Sequence, residues 1–217
     1  MIRKNLLILC SLLVLFACAY SAPAAYAQDA WESQHIGVGF KYLGVGEDKD
    51  FKKGALNLYG VNARVWTESK FGFEGGWLTW GESEKESYEG YSFELSTRIH
   101  MIPVSVLYTV AHVDAGGMYI RPYVGGGINI NRISVSGSVK YQEQSFSNTF
   151  SATKVGGQGF GGAEFTFKSL PQLSFGGDIG FHRIGIGDID MEVFEEKVKG
   201  INISKFGGSF QVHYYFK

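Results

Sequence analysis

Three histidines, His100, His182 and His213, are the side chains best suited to move a proton at neutral pH. General-base catalysis also needs a nucleophile within hydrogen-bond reach and a third group that orients the ring. No His-Ser motif of the deacylase type accompanies any of the three, and both cysteines, Cys10 and Cys18, lie within the first 20 residues. The sequence therefore offers no catalytic residue. The histidines share a different setting. With Arg64, Glu74, Glu94, Arg98, Arg121, Tyr123, Glu164 and Asp178 they fill the polar positions of segments whose alternate residues are apolar. Gathered on one enclosed face, arginines and carboxylates must neutralise one another, because an unpaired buried charge is costly. The chemistry predicted for this set is an ionic and hydrogen-bonded filling.

Two other patterns invite a ligand. Gly125-Gly126-Gly127 and the glycines at 156, 157, 159, 161 and 162 could be taken for phosphate loops, but they sit within alternating segments and open no helix, which a nucleotide fingerprint requires. Close strand packing and sharp curvature explain them instead. Acidic runs at Glu82, Glu84, Glu86 and Glu89 and from Asp188 to Glu196 could bind Ca²⁺ or Mg²⁺, yet lack the ordered spacing of a calcium loop. No metal and no cofactor are expected. The net charge of −1 supplies no general basic field, so nucleic acid is not an expected partner.

The elements that would position these residues are strands. Tyr91, Phe93, Leu95, Thr97, Ile99 and Met101 alternate with Ser92, Glu94, Ser96, Arg98 and His100, and period-two alternation places the two sets on opposite faces. The same pattern runs through Ile36 to Tyr42, Tyr59 to Val65, Phe71 to Trp77, Ile120 to Ile130, Val155 to Phe167, Leu173 to Phe181 and Phe206 to Phe216, giving eight segments. The 30 Gly, 17 Phe, 12 Tyr and 4 Trp suit packed, curved strands. Alternation alone leaves two arrangements open. A soluble carrier of lipocalin type would turn the apolar set inward, whereas a membrane barrel would turn it toward lipid. No apolar run of about 18 residues exists that could cross a bilayer as a helix.

Layout favours the membrane arrangement. Arg3 and Lys4 precede an apolar run from Leu6 to Ala19 and small residues ending Ala25-Tyr26-Ala27, so residues 1–27 read as a cleavable signal peptide. Lipidation at Cys18 is the rival processing route. Residues 28–217 then form one barrel domain. Long polar connections (46–53, 81–90, 134–150 and 185–199) alternate with short ones (68–70, 111–117 and 169–171), as in an up-and-down barrel with long outer loops and short periplasmic turns. The apolar parity flips after Met101, continuing at Ile102, Val104, Val106, Tyr108 and Val110, which predicts a β-bulge near Pro103. The predicted fold is an all-β, eight-stranded antiparallel transmembrane barrel with both termini in the periplasm.

Ile99-His100-Met101-Ile102-Pro103, followed by Arg121-Pro122-Tyr123-Val124-Gly125-Gly126-Gly127-Ile128-Asn129, resembles the OmpW-type small outer-membrane barrels, whose layout the OmpX-like and OmpA-like barrels share. The resemblance implies an outer-membrane protein bathed in lipid and lipopolysaccharide that passes small hydrophobic solutes. Leu56, Leu58, Tyr123 and Phe160 are the candidate apolar gate. The alternating Phe210, Val212, Tyr214 and Phe216 resemble the carboxyl-terminal signal read by the barrel-assembly machinery, although Lys217 follows the last aromatic. A plugged barrel that presents its loops for surface interaction and transports nothing is the alternative.

Overall fold

The computed structural model describes residues 36–46, 56–67, 70–88, 90–141, 144–185, 189–191, 196–198 and 202–216. Residues 1–27, expected to be a signal peptide and carrying Cys10 and Cys18, the connection at 47–55, and Glu89, Asp188, Glu192 and Glu195 of the acidic runs lie outside the described residues. The strands are β1 (Ile36–Val45), β2 (Leu56–Trp66), β3 (Phe71–Tyr88), β4 (Tyr91–Thr109), β5 (Val113–Asp114), β6 (Met118–Tyr141), β7 (Gln144–Phe167), β8 (Leu173–Gly185), β9 (Ile189–Met191), β10 (Glu196–Val198) and β11 (Asn202–Phe216). The main sheet has nine strands in the order β4-β3-β2-β1-β11-β8-β7-β6-β5, and an added β4–β6 pairing closes it on itself. All of its pairings are antiparallel. Eight strands thus form a closed ring, with two-residue β5 appended to β6. Closure matters because a paired wall leaves no edge of unsatisfied N–H and C=O groups. The first and last wall strands seal the ring, running from Ile36 opposite Phe216 to Val45 opposite Gly207.

The wall is inverted relative to a soluble protein. Val61, Val65, Phe73, Trp77, Val104, Val106, Val124, Ile128, Val155, Ile179, Phe181 and Phe210 project outward and are exposed, while Arg64, Glu74, Glu164 and Asp178 are buried inside. This overturns the carrier arrangement that alternation had left open. Glycines let strands curve this tightly at particular inner positions. A Cβ on Gly127 would stand 1.9 Å from the Val104 carbonyl oxygen, and one on Gly156 would stand 1.9 Å from that of Arg183.

Two expectations are corrected. β4 and β6 pair in unbroken register from Tyr91 opposite Tyr141 to Thr109 opposite Tyr123, so no bulge interrupts β4 at Pro103. The apolar stripe changes parity because the surroundings of the strand change. From Ile102 onward the exposed apolar residues face outward, whereas Ile99 and Met101 point inward and are fully buried. The connections at 81–90 and 134–150 are also not loops. β3 and β4 meet at a tight hairpin containing Gly90 at φ 79°, and the 24-residue β6 and β7 pair to Tyr141 opposite Gln144. At about 3.3 Å per residue, these two strands extend far past the roughly 9–11 residues that cross a bilayer. The resulting four-stranded projection has one polar face, because serine, threonine and charged residues occupy every second position there.

Turns at the opposite end are compact. Gly116, at φ 75°, donates its N–H to Asp114 Oδ1 at 3.0 Å, and Lys168 Nζ contacts Asp114 Oδ2 at 2.8 Å, tying two neighbouring turns together.

Candidate functional site

The inward positions of β1, β2, β3, β6, β7, β8 and β11 assemble one ionic network. Lys41 Nζ lies 2.8 Å from Glu74 Oε1 and 3.3 Å from Asp178 Oδ2. Arg64 donates to Glu74 through both Nε, at 3.0 Å, and Nη2, and its Nη1 is 3.6 Å from Glu164 Oε1. Arg121 Nη1 donates to Glu164 Oε2 at 3.3 Å. Glu164 is the hub: Ser174 Oγ and the Tyr215 hydroxyl each donate to its Oε1 at 2.7 Å, and Trp66 Nε1 donates to Oε2 at 3.2 Å. Lys41, Arg64 and Arg121 balance Glu74, Glu164 and Asp178. The pairing is a requirement of burial, since each isolated ion would carry a desolvation penalty of several kcal/mol.

Aromatic rings fill the space between the charges. The Arg64 guanidinium lies over Tyr123 at 4.8 Å, Arg121 over Trp66 at 4.7 Å, and Lys41 Nζ over Phe160 at 5.3 Å. Gln211 Nε2 donates to the Tyr123 hydroxyl at 2.6 Å, and Asn62 Nδ2 is 2.9 Å from His213 Nε2. Above this layer Leu43, Val45, Leu56, Leu58, Leu78, Ile99, Met101, Ile133, Ile184 and Ile203 form an apolar plug.

Of the residues singled out in the sequence, Arg64, Glu74, Arg121, Tyr123, Glu164, Asp178, His182 and His213 all lie in the buried interior. Glu94, Arg98 and His100 do not. They occupy the outward parity of β4, where Ser83 Oγ donates to Glu94 at 3.1 Å and the His100 ring stacks on Trp77 at 5.4 Å. Their misplacement follows from the parity change on β4. The four gate candidates divide: Leu56 and Leu58 belong to the apolar plug, whereas Tyr123 and Phe160 pack beside the ions. Phe210, Val212, Tyr214 and Phe216 share the outward parity of β11, and the Tyr214 and Phe216 rings meet edge to face at 5.5 Å.

Lys41, Asn62, Gln211 and Tyr215 were missed. Lys41 was legible, because it stands between Phe40 and Tyr42 in an alternating strand and so shares the inward parity of Leu43. Among the described residues, no hydroxyl partners His182 or His213. His213 contacts Asn62 and approaches Glu164, and both His182 nitrogens lack partners among the described residues.

A closed, lipid-compatible wall around a neutralised core defines the class of outer-membrane β-barrels. The chain belongs to the outer membrane protein β-barrel domain family, whose model matches residues 10–215, and it is accordingly an outer-membrane protein. It is similar to neisserial surface protein A (15% identity, 84% of this chain, 96% of that chain, TM-score 0.48). It is also similar to the attachment invasion locus protein of Yersinia pestis, solved with the heparin analogue sucrose octasulfate (12%, 84%, 97%, TM-score 0.42). A third likeness is to the N-terminal barrel of Pseudomonas aeruginosa OprF (10%, 83%, 97%, TM-score 0.39). No curated protein sequence matches the chain significantly.

Proposed function

We propose that this protein is a sealed eight-stranded transmembrane barrel that acts through the surface it holds outside the cell and conducts nothing through its axis. The observation that carries this reading is the buried network centred on Glu164, capped by the apolar plug at Leu58, Ile99 and Met101. An ion following the axis would have to break several charge pairs and then cross a hydrocarbon-like layer. The termini and short turns lie in the periplasm, the signal peptide ends at Ala27, and the terminal strand carries the assembly signal. The outer surface is the β3-β4-β6-β7 projection. Its inner face shows exposed Tyr91, Phe93, Leu95, Val139, Tyr141 and Phe146 and suits an apolar partner segment. Planar-bilayer recording of the refolded protein tests the seal: no discrete conductance steps are expected, and reproducible single-channel openings would refute it.

The second reading is passage of small hydrophobic solutes, in keeping with the OmpW-type resemblance. Its support is the continuity between the exposed apolar face and the plug, which offers such a solute a dry path to the charged layer. Slower uptake of a hydrophobic substrate in a deletion strain, restored by the wild-type gene, is its signature.

A further inference from the structure

Correcting the parity of β4 puts a cationic cluster on the outside of the wall. His100 stands opposite Arg132 across the β4–β6 ladder, Arg98 stands opposite Ser134 one outward step above, and Thr79 and Thr153 flank the row on β3 and β7. Arg98 is therefore a diagonal neighbour of Arg132, roughly 7–8 Å away by sheet geometry. Both arginines are exposed, and neither forms an ion pair with a described carboxylate. The Nδ1 of His100 is buried without a partner among the described residues. The cluster sits immediately above the apolar belt, one outward step from Ile102 on β4 and Ile130 on β6.

A second feature adjoins it on the belt. A groove of about 550 Å³ opens on the lipid-facing side of β1, β2 and β3, with Ala63 and Gly75 as its floor and Val38, Val61, Trp77 and Tyr214 as walls. Its upper wall, Trp77, is the ring on which His100 stacks at 5.4 Å with 14° between planes. An acyl-chain groove and an anion cluster thus share one tryptophan–histidine pair. Arginine binds phosphate through paired N–H donors, and the Thr153 hydroxyl beside Arg132 adds another, whereas the Thr79 hydroxyl already donates to the Ile99 carbonyl at 3.2 Å.

We infer that this face binds one phosphorylated glycolipid of the lipid A type, with a phosphate between Arg98 and Arg132 and an acyl chain in the Ala63–Gly75 groove. The inference rests on the orientation proposed above, which puts the cluster at the outer leaflet. A phosphate there pairs with two arginines that meet no described carboxylate, and a saturated chain fills the depression below Trp77.

The test titrates full-length protein, refolded in detergent, with purified lipid A and follows retained lipid by native mass spectrometry. The double variant Arg98→Ala/Arg132→Ala should hold lipid A roughly thirtyfold more weakly, at about fivefold per arginine at a charged surface. Gly75→Leu should weaken it independently by filling the groove. A Cβ at Gly75 meets nothing nearer than 3.9 Å, so this variant keeps the barrel, as its compact mobility on unheated gels should show. Unchanged retention in both variants would overturn the proposal. So would equal retention of phosphatidylglycerol, or a second protein copy occupying the groove regardless of lipid A. Labelling of a Ser138→Cys variant in intact cells by an impermeant maleimide reads the orientation separately. Without labelling the orientation fails, whatever the lipid titration gives.

Discussion

At the scale of single residues, the interior separates partners that tolerate change from those that do not. Glu74 accepts from both Lys41 and Arg64 in a dry layer, so Glu74→Ala leaves two buried cations short of a partner. The expected loss is about 3–5 kcal/mol, seen as a lower urea midpoint in detergent. Glu94 carries the same charge on the outer face of the projection, and Glu94→Ala is expected to stay within about 0.5 kcal/mol. Equal effects of the two variants would show that the parity assigned to β4 is wrong. Period-two alternation in the sequence is enough to bring Arg64, Glu74, Arg121, Glu164 and Asp178 together, because their strands alternate cleanly through the belt. It does not place Arg98 and His100, since alternation gives faces without saying which face is wet. That depends on height along the barrel, which no local pattern encodes.

Individual elements show the same limit and its cause. The segments 81–90 and 134–150 look like loops because they are polar, yet Val135 and Val139, like Phe146 and Phe150, stand four apart on a single parity and mark strands with one apolar face. Outside lipid a strand can be polar on its exterior, so polarity does not mark the strand ends. The eight wall strands were legible because lipid demands an uninterrupted apolar outer stripe. Glycine positions test the wall element by element. Gly127 faces inward against the Val104 carbonyl, and Gly127→Ala should block assembly, leaving protein that migrates as unfolded without heating. Gly126 faces outward with nothing closer than 3.5 Å to a new Cβ, so Gly126→Ala should assemble as wild type. Assembly of both variants would contradict the observed β4–β6 packing.

For the whole molecule, closure satisfies the backbone and inversion satisfies the solvent. Every wall strand has two neighbours, so the ring can lie in hydrocarbon without stranded N–H groups, while the neutral network of Lys41, Arg64, Arg121, Glu74, Glu164 and Asp178 makes a rigid filling. Two tryptophans report the two sides of this wall: Trp77 is 47% exposed on the outer belt, and Trp66 is 4% exposed within the charged layer. The most direct test is fluorescence quenching by brominated lipids in vesicles, using variants in which Trp77 or Trp66 is the single tryptophan left of the four in the chain. Strong quenching of Trp77 with little quenching of Trp66 is expected. Comparable quenching of both, or protection of Trp77, would contradict a wall that turns its apolar face to lipid and its charges inward.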